Sequence, residues 1–110
     1  MAAIDVDKLI KDMAAAAQGV IKKKWPDAKR YAEAEFKKIG DSLAFIAEEV
    51  ARGHMSKEQA RLHIKLQQNA SQQVLMMIQG LSILTAEAAI NAAIDVIRGT
   101  VNTALGFVLL

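Results

Sequence analysis

Apolar positions recur at helical spacing along almost the whole chain, and the polar side chains between them thin out sharply after about residue 73. Val6, Leu9, Ile10, Met13, Ala17, Val20 and Ile21 share one helical face. Asp5 stands where a side-chain cap belongs, with Ile4 and Leu9 placed as a hydrophobic staple. Pro26 interrupts this run, because proline lacks an amide donor and disfavours helical geometry at Trp25. Beyond it, Ala32, Phe36, Ile39, Leu43, Ile46 and Val50 alternate spacings of four and three, a heptad seam that needs a partner helix along its length. Gly53 sits where a left-handed C-cap ends that helix. Ser56 and Gln59 form a capping box for the next helix, with Met55 and Ala60 as its staple.

From Lys57 onward there is no proline, so the pattern predicts helices over about 5–24, 26–52 and 57–110 in a single all-α domain, 1–110. An unbroken last helix would be roughly 80 Å long at about 1.5 Å per residue, with Gly80 and Gly99 as the two places where it could kink or end. The expected architecture is a long antiparallel helical hairpin. Helix 1 and helix 2, bent at Pro26, form one arm, and one long C-terminal helix forms the other. A compact three-helix bundle is the alternative. The turn at Gly53–Ser56 sets Val50 opposite Ala60, Ile46 opposite Ile64, Leu43 opposite Leu66, Ile39 opposite Ala70 and Phe36 opposite Val74. Further along, Trp25 falls opposite Leu84 and Ile21 opposite Ala88.

Composition sharpens the asymmetry. Of 26 charged side chains, only Glu87, Asp95 and Arg98 lie in residues 74–110. Beside a single partner helix, roughly ten large apolar side chains of that half would stay exposed, each forgoing about 1.5–3 kcal/mol. That deficit is as large as the whole stability of a domain, about 5–15 kcal/mol. The expectation is therefore that Ile90, Ile94, Ile97, Val101, Leu105 and Leu109 meet other copies of the chain or lipid. Along the same helix Glu87, Asn91, Asp95, Arg98 and Asn102 form a narrow polar stripe. It prolongs the seam track, so it is expected on the inner side, with Arg98 paired to Asp12 and Glu87 opposite Lys22. Ordinary interface ion pairs are the plainer reading of the same residues.

The basic run Lys22, Lys23 and Lys24, next to Trp25, is the one candidate for anionic lipid headgroups. Its plain alternative is a solvated bend with Trp25 packed on Leu84. The neutral amides around Ala70, from Gln67 to Gln73, read either as a solvent-facing stretch or as a hydrogen-bonding layer that sets register between copies.

Candidate chemistry is sparse. The formal charge of +2 and the lack of a recognition motif argue against specific nucleic-acid binding. There is no cysteine, and the two histidines, His54 and His63, are not spaced as metal ligands. Glu48 and Glu49 are adjacent and point to different helix faces. No P-loop, dinucleotide fingerprint or nucleophile elbow is present. No catalytic, cofactor-binding or metal residue is assigned, and no small-molecule substrate is expected. The N-terminus, Met1-Ala-Ala-Ile-Asp, lacks the basic and apolar regions of a secretory signal, so synthesis in the cytoplasm is expected. Membrane association or membership of an exported assembly remains compatible with this.

The leading expectation is a non-enzymatic structural protein that self-assembles through its apolar C-terminal half into a ring, tube or filament. The alternative is a membrane-active, pore-forming or envelope-penetrating protein that inserts its C-terminal helix. A third reading is a subunit whose apolar half docks into a different protein.

Overall fold

The computed structural model describes residues 4–110. Met1, Ala2 and Ala3, part of the N-terminal segment considered above, lie outside the described residues. Among the described residues the chain is all-α, with four helices: α1 (Val6–Ile21), α2 (Trp25–Ala51), α3 (Lys57–Met76) and α4 (Ile83–Leu105). A single 3-10 turn, Lys22–Lys24, joins the first two.

Local chemistry accounts for most of the boundaries. Asp5 caps α1, its carboxylate accepting from the Lys8 amide at 3.1 Å. Leu9, Met13, Ala17 and Ile21 then form its buried face. Pro26 lies in the first turn of α2, where a missing amide hydrogen costs nothing. The heptad seam is the spine of the core, with Ala32, Phe36, Ile39, Leu43 and Ile46 all fully buried. Gly53 takes its left-handed conformation at φ 75°. The capping box forms as expected: the Gln59 amide donates to Ser56 Oγ at 3.1 Å, and the Ser56 amide donates to Gln59 Oε1 at 2.9 Å.

Two features depart from the expected long hairpin. The first arm does not bend at Pro26 but reverses just before it. Lys22 adopts φ 57° and ψ −117°, ending α1, and α2 returns antiparallel to α1, with Gly40 against Val6 and Ile10. The second arm reverses too. The segment 77–82 carries Gly80 at φ 83°, and Ser82 caps a new helix, its Oγ accepting from the Thr85 amide at 3.0 Å. Gly99 continues helically inside α4.

The result is the expected hairpin folded double. The arms stay side by side, α2 along α3 and α1 along α4, but Leu66, Ala70, Leu84 and Ala88, expected opposite Leu43, Ile39, Trp25 and Ile21, are exposed. Lys8 and Leu9 line one small cavity with Thr100 and Val101, and Phe45 faces His63 with ring centroids 5.8 Å apart. Doubling adds contacts of α1 with α2 and of α3 with α4, closing an up-down-up-down four-helix bundle of 43 × 22 × 18 Å. Gly106, left-handed at φ 79°, ends α4. Residues 107–110 then lie back on the bundle: Asn102 Oδ1 accepts from the amides of Leu109 (2.9 Å) and Leu110 (3.0 Å). Arg61 Nε donates to the Val108 carbonyl at 2.9 Å, beside the Phe107 ring.

Candidate interaction surfaces

Folding double changes where the expected site residues stand. Ile90, Ile94, Ile97, Val101, Leu105 and Leu109 are all buried within the chain's own core. They were expected at an interface between copies or in lipid. α1 and α3 cover them instead, because the turn at 77–82 returns α4 to the other three helices. The burial deficit that made a monomer look untenable is thereby removed.

The polar stripe is corrected in the same way. Glu87, Asn91, Asp95 and Arg98 are exposed on the outside of α4, and Asn102 is half-buried as the clamp for residues 109 and 110. Arg98 pairs with Asp95 at 2.7 Å, while Asp12 pairs with Lys8 at 3.0 Å. The helix is apolar inside and polar outside, the reverse of the inside-out arrangement expected for a single long arm. Such exposed pairs contribute little to stability.

Lys22, Lys23 and Lys24 are exposed, as a lipid or polyanion contact requires, but Trp25 is buried. Leu84, its expected partner, is 77% exposed at the start of α4; Leu66 (60%), expected opposite Leu43, and Met77 (83%), which continues the same helical track after Val74, also face outward. Leu84 and Met77 lose their places because the seam is interrupted between α3 and α4. Leu66 points away from α2, on the far side of α3 from buried Ile64.

Two surfaces stand out after this accounting. One is the outer face of α3, where Leu62, Leu66, Asn69, Ala70 and Gln73 are all exposed, with Glu58 and Lys65 along one edge. Leu62 is 62% exposed. A solvated helix face ordinarily carries Lys or Glu at such positions, and the spacing from Leu62 through Leu66 and Asn69 to Gln73 is that of a second heptad seam. Phe45 and His63 flank it. The amide-rich segment is divided by this geometry: Ser71 is fully buried and accepts from Gln67 at 3.1 Å, while Asn69 and Gln73 look out.

The second surface is the end of the bundle where both chain reversals lie. An open groove of about 770 Å³ there is lined by Lys24, Asp27, Tyr31, Val74, Met77, Ile78, Gln79 and Gly80. The Lys24 ammonium rests over Gly80, 2.9 Å from where a β-carbon would stand.

Sequence reasoning missed two further polar positions. Glu35 is buried in α2 and its carboxylate accepts from Lys38 Nζ at 2.9 Å. Glu49, near the end of α2, has its Oε2 3.1 Å from Nδ1 of His54 in the following turn, a pairing its sequence position did not suggest. Among the described residues no cluster of side chains is arranged to hold a metal ion, and no helix is long and apolar enough to cross a membrane. The chain matches no protein-family model, no curated protein and no solved structure.

Proposed function

We propose that this chain is a non-enzymatic structural protein that self-associates, with copies meeting along the outer face of α3 rather than through the C-terminal helix. The observation that carries the reading is the neutral centre of this seam, with Leu62 and Leu66 largely exposed and the charges Glu58 and Lys65 confined to one edge. Two identical faces present identical charge to each other, so the face that tolerates self-pairing is one whose centre is neutral and whose charges, here Lys65, stay in water at the rim. A two-fold axis at Leu66 sets Leu62 of one copy against the small Ala70 of the other, Asn69 against His63 and Gln73 against Gln59. Such a face is self-complementary and closes on two copies. The assembly is therefore a dimer, and a ring, tube or filament would need a second face.

Light scattering behind gel filtration tests this. The wild type is expected at twice the mass of the chain, and Leu62→Lys/Leu66→Lys at the mass of one chain with an unchanged circular-dichroism spectrum. A wild type that runs as a monomer throughout a concentration series, or a double variant that still dimerises, overturns the proposal.

A further inference from the structure

We infer that the end of the bundle bearing both chain reversals is a docking surface for an anionic lipid bilayer, which it meets at headgroup depth without spanning it. The bundle is electrically lopsided along its length. At this end Lys22, Lys23 and Lys24 are all exposed, followed by exposed Lys29 and Arg30 in the first turns of α2. The nearby acids are Asp27, Glu33 and Glu87, which leaves the bases in excess. At the opposite end, Asp5, Asp7, Asp41, Glu48, Glu49 and Glu58 are interleaved with Lys8, Lys38, Arg52, Lys57, Arg61 and Lys65, so the charges there nearly cancel. A negatively charged plane therefore orients the molecule before contact, drawing the lysine-bearing end in first.

Charge alone would suit any polyanion, and the apolar side chains among the lysines decide for lipid. Met77 and Leu84 are 83% and 77% exposed, and Ile83 and Tyr31 are exposed as well. All four stand at or next to the segment 77–82 and the groove where Lys24 reaches across to Gly80. Aliphatic side chains of this size gain nothing from phosphate or sugar, and nucleic-acid surfaces of this kind use aromatic faces for stacking bases. Immersed in the boundary between headgroups and acyl chains, Met77, Ile83 and Leu84 leave water while the lysine ammoniums stay among the phosphates. A tyrosine is suited to the same depth. Contact by helix ends and a turn, with no spanning helix among the described residues, makes this a surface attachment. It uses a different face from the α3 seam, so it stands or falls separately from dimerisation.

Co-sedimentation of the full chain with vesicles tests it, using equal parts phosphatidylcholine and phosphatidylglycerol against phosphatidylcholine alone. The wild type is expected to bind the anionic vesicles only, and less as salt is raised. Lys23→Glu/Lys24→Glu and, separately, Met77→Ser/Leu84→Ser should each lower that binding by about tenfold or more. These side chains are exposed, and unchanged thermal melts verify that the variants fold. Equal binding to neutral vesicles, or none to anionic ones, overturns the inference. So does a loss seen only for the lysine variant together with competition by inorganic polyphosphate, which would make the surface a polyanion site instead.

Discussion

Val6 of α1 and Gly40 of α2 lie so close that a β-carbon on Gly40 would stand 3.0 Å from Val6 Cγ1. The contact exists only because the chain reverses at Lys22. Had α1 and α2 formed one bent arm, these residues would sit tens of ångströms apart, and Gly40 would be a costly residue in the middle of an exposed helix.

That closeness predicts a specific coupling. Gly40→Ala gains up to about 1 kcal/mol of helix propensity, but its new methyl group has to push Val6 aside. On the wild-type background the substitution should leave stability unchanged or slightly lower. On a Val6→Ala background the same substitution should stabilise, giving a coupling of at least about 0.5 kcal/mol in a double-mutant cycle. Denaturant unfolding followed by circular dichroism measures it. Equal stabilisation on both backgrounds would mean that α1 does not fold back on α2.

Gly80 and Gly99, the two glycines at which the last helix was expected to kink or end, should respond in opposite directions. Gly80 has φ 83°, so Gly80→Ala forces a left-handed alanine and should cost about 1–2 kcal/mol. The nearby Lys24 ammonium adds little, being the far end of a flexible side chain. Gly99 lies inside α4 with nothing within 4 Å of a prospective β-carbon. Gly99→Ala should therefore stabilise by up to about 1 kcal/mol. A destabilising Gly99→Ala would indicate a break that the bundle does not contain.

These positions also show how far the fold was legible. The helices that open with a strong side-chain cap and the seam that fills the core could be read from Asp5, the box at Ser56 and Gln59, and the run from Ala32 to Ile46. The second reversal was half read: Gly80 was one of the two places where the last helix could end, but Ser82 was not recognised as the cap of a new helix. Gly80-Leu-Ser82 repeats the logic of Gly53 to Ser56, a left-handed glycine followed by a serine cap, but the absence of proline and charge masked it. Lys22 gave no such signal, because nothing in a lysine side chain foretells positive φ. The misplacement of the candidate site follows from those two turns. With the hairpin drawn straight, the face through Ile94 and Ile97 had to look for a partner outside the chain. Folded double, it has one inside, and the unpartnered face moves to Leu62 and Leu66.

Ile97 distinguishes the two arrangements directly. Its side chain is 1% exposed within one chain, so Ile97→Asp places a carboxylate among apolar neighbours with no partner. The cost is several kcal/mol, comparable with a domain's whole stability of about 5–15 kcal/mol. Loss of helical circular dichroism and of a cooperative melt is expected. A variant that stayed fully helical and changed only its mass would place Ile97 between copies and not inside one.

The α3 seam makes its own geometric demand, and the lack of any native cysteine allows a clean test. If copies pair about an axis at Leu66, the two Leu66 side chains face each other, and Leu66→Cys brings two thiols within disulfide reach, with α-carbons roughly 4.4–6.8 Å apart. Mild oxidation should convert most of the variant into a covalent dimer at concentrations where the wild type already dimerises. Lys37→Cys, equally exposed but on the outer side of α2, should remain monomeric on a non-reducing gel. Crosslinking of both variants to the same extent would indicate random collision, and crosslinking of neither would move the two-fold axis away from Leu66. A shift of the efficient position to Leu62 or Asn69 would measure that displacement, since each is one helical turn or less from Leu66 along the same face.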